Sequence, residues 1–258
     1  QILPNIENDN LWKSTDPIEV RGATITTHFC PSRRSPQTLD AGGGLRYGAN
    51  DYAVNLGPDV GNINTFNVVT LSTNPGLWAA SNQVLDYYGA VNPSQFYTGN
   101  AGTPYLPGYA VKMTDIADGV AYTILVSEKA IDSDLMTNKP DGAAQQDGDR
   151  WGFVAGFDKF DTTRHGARPP VRDKPGNSVN SDIFGSAHLS AVNALFFDGS
   201  VRQVSFNVGA GVPSTVVSLK RPDGTPDSLS AAAKTFDIFK KLCCRSDAST
   251  IKSTDLDQ

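Results

Sequence analysis

The segment 191–206 constrains the fold of this chain more than any other part of its sequence. Two apolar and β-branched runs, 191–197 and 201–206, flank the dipeptide Asp198-Gly199. Asp-Gly between such arms is the preferred sequence of a tight turn, because the turn needs a positive φ that glycine adopts without strain. The segment therefore predicts a β-hairpin, with Asp198 bonded to the backbone of the turn.

The rest of the sequence predicts an α+β fold with a pilin-like, mainly antiparallel sheet and long ordered loops. The 258 residues include 24 glycines and 16 prolines, which favours short strands joined by many turns. Strands are predicted over 23–29, 123–128 and 151–156, and apolar residues at helical spacing predict a C-terminal helix within 230–242. We expect a single globular head domain over 1–258, with a loop-rich insertion at 40–110.

The charge balance excludes some classes of partner. The chain has 22 Lys and Arg against 27 Asp and Glu, a net charge of −5, which argues against general binding to nucleic acid or anionic membranes. No run of about 18 apolar residues occurs, so the sequence itself predicts no membrane span. The opening QILPNIENDN contains no Met and no signal peptide, and we expect a mature or truncated form whose N-terminal segment has been removed.

The cysteines leave two interpretations open. The chain has three of them, Cys30, Cys243 and Cys244, and an odd number leaves at least one thiol unpaired within the chain. Either Cys30 forms a disulfide with Cys243 or Cys244, or all three are buried thiols. No pair of cysteines or cluster of Cys and His has the short spacing of a structural zinc site.

One group of residues invites comparison with a nucleophilic triad. His188 lies near Ser186 and Ser190, and Asp198 follows ten residues later. A triad needs a base within reach of the hydroxyl and a carboxylate that orients the base. The turn accounts for Asp198, however, and the sequence around Ser186 lacks the Gly-x-Ser-x-Gly elbow of the hydrolases. We therefore expect a protein that is not an enzyme. A serine hydrolase ranks third among the possible functions, after the two given at the end of this subsection.

Metal and sugar binding are two further hypotheses. The three histidines are widely separated, which argues against a His-rich transition-metal site. Asp147, Asp149 and Asp158 lie in acidic, glycine-containing loops that could bind Ca²⁺, although none has the EF-hand spacing. No other cofactor is expected. Aromatic side chains that could stack on a polysaccharide, or form the local core of a long loop, are Trp78, Tyr87, Tyr88 and Tyr97.

Five ordered segments together resemble one known family. They are Cys30-Pro-Ser-Arg-Arg34, Asp51-Tyr-Ala-Val-Asn-Leu-Gly57, the segment 116–128 ending in Val-Ser-Glu128, Phe184-Gly-Ser-Ala-His188, and Asp198-Gly-Ser-Val-Arg202. In this order and spacing the chain resembles the prepilin-type "H-x(9)-DG" proteins of planctomycetes and their relatives, a domain of unknown function (1559). The His and Asp-Gly of that motif are His188 and Asp198-Gly199.

The resemblance implies an exported, extracytoplasmic protein. Its family implies a prepilin leader and a long N-terminal helix, which would anchor the full-length protein in a membrane. The function that follows is a pseudopilin-like surface or filament subunit, whose partners are other pilin-like subunits or the secretion machinery. The alternative is an extracellular module that binds polysaccharide or another solute. We expect the motif residues to form one charged structural network, comprising Arg33, Asp118, Glu128, His188, Asp198 and Arg202.

Overall fold

The computed structural model describes a large part of the chain. The described residues are 3–40, 46–58, 89–90, 95–96, 106–107, 111–136, 149, 152–155, 161–176, 183–217, 219, 234–247 and 251. Most of the predicted insertion at 40–110 lies outside them. No helix among these residues is both long enough and apolar enough to cross a bilayer.

The described elements are short strands and single helical turns, which confirms the predicted α+β class. The α-helices are α1 (Asp9–Lys13), α2 (Pro17–Gly22) and α3 (Ile238–Cys243). The 3₁₀ turns are Leu3–Ile6, Thr26–His28, Met113–Asp115, Ser133–Leu135 and Gly152–Ala155. The strands are β1 (Thr38–Asp40), β2 (Arg46–Gly48), β3 (Tyr52–Gly57), β4 (Gln95–Phe96), β5 (Leu106–Pro107), β6 (Ile124–Glu128), β7 (Thr163–His165), β8 (Val171–Arg172), β9 (Gly185–Ser186), β10 (Ala191–Phe196), β11 (Val201–Ser205), β12 (Thr215–Val217) and β13 (Lys234–Phe236).

The largest sheet has five strands in the order β11-β10-β6-β3-β7. Two-stranded antiparallel ribbons are formed by β1 with β2, by β4 with β5 and by β12 with β13, whereas β8 and β9 run parallel.

The chain divides into two compact units. Unit 1 comprises Gln1–Ala53, Ser127–Arg164 and Pro170–Val192, and unit 2 comprises Val54–Val126, His165–Pro169 and Asn193–Gln258.

The predicted hairpin is present as β10 and β11. The amide of Phe196 donates to the Ser200 carbonyl at 2.9 Å, and Gly199 has a φ of 83° at the turn. The Asp198 carboxylate accepts from the amide of Ser200 at 2.9 Å and from its hydroxyl at 2.6 Å. The backbone geometry thus accounts for both residues of the Asp-Gly pair.

Asn55 fixes the C-terminal helix of unit 2. Its fully buried side chain donates to the carbonyls of Ile124 at 2.8 Å and Cys243 at 2.9 Å, and accepts from the amide of Gly57 at 2.8 Å. Because an unpaired buried amide is costly, this bonding specifies where α3 ends against β6. Gly166 permits the close approach, since a Cβ there would lie 2.4 Å from the Cys243 sulfur.

Three predicted elements differ from the structure. The segment 23–29 contains a 3₁₀ turn at Thr26–His28 rather than a strand, because the His28 carbonyl accepts from the amide of Asp51 instead of pairing with a neighbouring strand. A second 3₁₀ turn, at Gly152–Ala155, replaces the strand predicted at 151–156. Part of the predicted helix 230–242 is strand β13, which pairs with β12, and α3 begins after the Asp237 cap.

Gly199→Ala should destabilise the protein by about 1 to 2 kcal/mol, because an L side chain is strained at positive φ. No atom lies within 4 Å of the added methyl group, so the loss would arise from the backbone alone. Gly22→Ala is the matched control: its φ is not positive and its nearest neighbour is 4.0 Å away. Urea unfolding should find this control unchanged or up to about 1 kcal/mol more stable. Equal effects of the two substitutions would contradict the turn assignment.

Candidate functional site

A tight turn at the start of the CPSRR segment presents two arginines to the interior of unit 1. Pro31 sets the φ of the first turn position, and the amides of Arg33 and Arg34 bond to the Cys30 carbonyl at 2.9 and 3.3 Å. The Cys30 amide donates to the carboxylate of Asp51 at 2.9 Å, which holds the turn in place. Both guanidinium groups are therefore directed toward buried carboxylates.

Arg33 joins four separate segments of unit 1. Its Nε donates to Asp173 at 2.8 Å, and its other nitrogens donate to the carbonyls of Lys129 at 2.8 Å, Gly185 at 3.1 Å and Asp51 at 3.2 Å. Burial raises the pKa of the Asp173 carboxyl, and the charge of Arg33 offsets part of that rise. A planar guanidinium can satisfy these acceptors at once, which a single ammonium group cannot do.

Arg34 and Lys129 share a second buried carboxylate. Arg34 bonds to Asp51 at 2.7–2.8 Å and to Asp149 at 2.6 Å, and the Lys129 ammonium lies 3.3 Å from Asp149. The same ammonium donates to the Asp161 carbonyl at 3.0 Å. Burial lowers the pKa of Lys129 to about 8, against the opposing effect of Asp149. We call Arg33, Arg34, Asp51, Lys129, Asp149 and Asp173 the ion cluster.

Next to the ion cluster, three potential ligand atoms converge. They belong to Cys30, Glu128 and His188, and all lie within 4.8 Å of one another. The Nε2 of His188 is 3.2 Å from the Glu128 carboxylate and 3.7 Å from the Cys30 sulfur. Cys30 is 2% exposed and Glu128 is fully buried, whereas the His188 side chain is 28% exposed. We call these three residues the Cys-Glu-His group.

This geometry differs from that of a nucleophilic triad. In a triad, one imidazole nitrogen faces the nucleophile while the other bonds to the carboxylate. Here the same atom, Nε2 of His188, faces both Cys30 and Glu128. Burial raises the pKa of the Cys30 thiol to about 11, and its hydrogen bond to Glu128 adds to the rise. The thiol is therefore protonated at neutral pH and is a poor nucleophile.

The serine two residues before His188, Ser186, bonds to the backbone. The Ser186 hydroxyl donates to the carbonyl of Ala191 at 2.7 Å and accepts from the amide of His188 at 3.1 Å. These bonds hold the loop between β9 and β10, so that the His188 side chain is directed toward Cys30 and Glu128.

Of the six residues predicted to form one network, three lie in unit 1 and three in unit 2. His188 and Glu128 meet directly, and Arg33 belongs to the adjacent ion cluster. In unit 2, Arg202 lies over the Phe196 ring at 3.6 Å, bonds to the Ala121 carbonyl and is 4.0 Å from Asp198. Hydrogen bonds from Ser200 lower the pKa of Asp198. Asp118 accepts from the amide of Asp247 at 2.8 Å.

The remaining predicted site residues have mixed outcomes. Asp149 contacts two cations of the ion cluster, Arg34 and Lys129. Asp147 and Asp158 lie outside the described residues, as do the four candidate sugar-binding residues Trp78, Tyr87, Tyr88 and Tyr97. Cys30, Cys243 and Cys244 are all free and buried.

Comparison with known proteins identifies the family. A family model described as a protein of unknown function, DUF1559 (SBP_bac_10), matches residues 1–211, about four-fifths of the chain. The chain belongs to the DUF1559 family. This confirms the resemblance found in the sequence motifs, and the matched range contains both the ion cluster and the Cys-Glu-His group. No curated protein and no solved structure matches the chain significantly.

Sequence reasoning missed several members of this DUF1559 site. Arg34 and Asp51 lie inside the quoted motifs, and Lys129 directly follows one of them, so the motifs themselves were the available signal. Nothing in the sequence marks Asp173, which the fold brings to Arg33 from 140 residues away.

Arg33→Lys should destabilise the protein by about 2 to 4 kcal/mol, since at least two buried acceptors lose their donor while the positive charge stays. Arg172→Lys, at an exposed position on β8, is the control and should change stability by less than about 0.5 kcal/mol. Both can be measured by chemical unfolding. Equal stability of the two variants would show that the fork of bonds from Arg33 is dispensable.

Asp149→Asn should cost about 3 to 5 kcal/mol at neutral pH, because it leaves two buried cations short of a partner. Burial alone would raise the pKa of Asp149, but Arg34 and Lys129 outweigh it and lower that pKa. A carboxylate with a lowered folded-state pKa stabilises above its unfolded pKa, and this stabilisation is lost as the pH falls through the folded value. The difference from wild type should therefore be full at pH 6–7 and shrink below about pH 4.

The control for this substitution is Asp9→Asn, which removes an exposed ion pair with Lys13. It should change the free energy of unfolding by less than about 0.5 kcal/mol across the same pH range. A pH-independent loss in Asp149→Asn would point to a packing defect and contradict the electrostatic explanation.

Proposed function

We propose that this chain is the globular part of an exported, pilin-like surface or filament subunit with a structural or adhesive role and no catalytic activity. One observation carries the proposal: the sequence motifs shared with the family supply the buried charged residues that hold the segments of unit 1 together. Arg33 and Arg34 come from the first motif, Asp51 from the second and Glu128 from the third. Residues used in this way specify a rigid shape, which is what a subunit or an adhesin must present.

The chemistry of the candidate nucleophiles supports a non-enzymatic role. Ser186 is bonded to backbone groups on both sides, and the Cys30 thiol is buried and protonated. Asp198 is bonded to its own turn. Ser186, Cys30 and Asp198 therefore each have a structural partner.

Binding to polysaccharide stays a prediction, since it depends on aromatic residues of the middle segment. No contact among the described residues favours it over the structural role. The two functions differ in what surrounds the protein in its cell: a subunit is held among copies or other pilin-like proteins, whereas a solute-binding module is not.

Surface labelling of the full-length protein in its native cells tests the proposal. A membrane-impermeant biotin reagent should label the protein, and crosslinking in intact cells should yield ladders that contain it. A cytoplasmic enzyme serves as the unlabelled control. Unlabelled protein confined to the cytosol would overturn the proposal. If the protein is labelled at the surface but forms no crosslinked species larger than the monomer, the result would favour the binding module instead.

A further inference from the structure

The Cys-Glu-His group combines three kinds of metal-binding atom. A sulfur from Cys30, a carboxylate oxygen from Glu128 and an imidazole nitrogen from His188 lie within 4.8 Å of one another. Cys30 and His188 are 158 positions apart in the chain, so the fold alone brings them together. Mixed sulfur, nitrogen and oxygen donors suit zinc and related metals, and do not suit Ca²⁺ or Mg²⁺.

The separations between the atoms match those around a tetrahedral zinc ion. Zn–S bonds of about 2.3 Å and Zn–N and Zn–O bonds of about 2.0–2.2 Å place sulfur about 3.6 Å from nitrogen, and nitrogen about 3.4 Å from oxygen. The observed distances are 3.7 Å from the Cys30 sulfur to Nε2 of His188 and 3.2 Å from that nitrogen to the Glu128 oxygen. These two distances lie within about 0.2 Å of the values expected around zinc.

The surroundings hold the three ligands in position. The amide of Cys30 is fixed by Asp51 at 2.9 Å, and the amide of His188 by the Ser186 hydroxyl at 3.1 Å. Glu128 is the last residue of β6. Such support from outside the ligand set is typical of metal sites, where it orients the ligands.

The solvent exposure and the charge of the Cys-Glu-His group also suit a divalent metal ion. The 28% exposure of the His188 side chain gives the group one open side, while the other two ligands are buried. A thiolate and a carboxylate together balance the two charges of a divalent ion. Binding would release the Cys30 proton to solvent, and His188 would bind as the neutral imidazole through Nε2.

We propose that Cys30, Glu128 and His188 bind one Zn²⁺ ion, with a fourth position open to water or to a donor from another molecule. This site is independent of the structural or adhesive role proposed above. It assigns a role to the histidine of the H-x(9)-DG motif that the turn at Asp198-Gly199 does not provide.

Metal titration of the chelator-stripped protein tests the site. Zn²⁺ should bind with one ion per chain, and Co²⁺, as the spectroscopic probe, should give a thiolate-to-cobalt charge-transfer band. In Cys30→Ser the band should disappear, and in His188→Ala the affinity for Zn²⁺ should fall at least about tenfold. Circular dichroism checks that both variants are folded.

Cys244→Ser is the matched control, because Cys244 lies in unit 2 with Asp118 and Asp247 in another group of possible ligands. It should keep both the band and the affinity. Retention of the band in Cys30→Ser, or its loss in Cys244→Ser, would overturn the assignment.

A measurement on the wild-type protein covers the case in which a variant does not fold. Zn²⁺ should slow alkylation of Cys30 at least about tenfold, as read by mass spectrometry of the peptide that contains it. The same rate with and without Zn²⁺, or the absence of any bound zinc, would refute the proposal.

Discussion

The buried pairing of Arg33 and Arg34 with Asp51 is the interaction on which unit 1 depends. Asp51 accepts from the Cys30 amide and from Arg34, and its own carbonyl accepts from Arg33. Three cations and three carboxylates are thus placed together where water is largely excluded. Removing one partner from such a cluster is costly because the others keep their charge, whereas the complete cluster is nearly balanced.

The ion cluster specifies which segments meet more than it adds to stability. Apolar contacts are non-directional, whereas a guanidinium with fixed donors accepts few arrangements of carbonyls and carboxylates. Arg33 fixes the positions of Lys129, Gly185 and Asp173 in this way, because it donates a hydrogen bond to each of them. This explains why motifs that are distant in the sequence behave as one unit in the fold.

The sequence predicted those features that depend on neighbouring residues. The β10–β11 hairpin follows from its Asp-Gly turn, and strand β6 from a short buried run. The 3₁₀ turn at Thr26–His28 was missed because Asp51, far along the chain, determines the bonding of that segment. His188 and Glu128 were predicted to share one network, but Cys30 was not placed with them, since ligand spacing detects only metal sites whose residues lie close in sequence.

The reach of Arg33 also has a consequence for the order of folding. Its partners extend to Asp173 and Gly185, so a growing chain carries unpaired charges in its first fifty residues until most of the protein has been synthesised. Contacts of such high sequence separation form slowly, because a long loop must close before they contribute. The bonds of Arg33 can therefore be completed only after residues 173–185 have been synthesised, so its segment depends on parts of the chain that emerge much later.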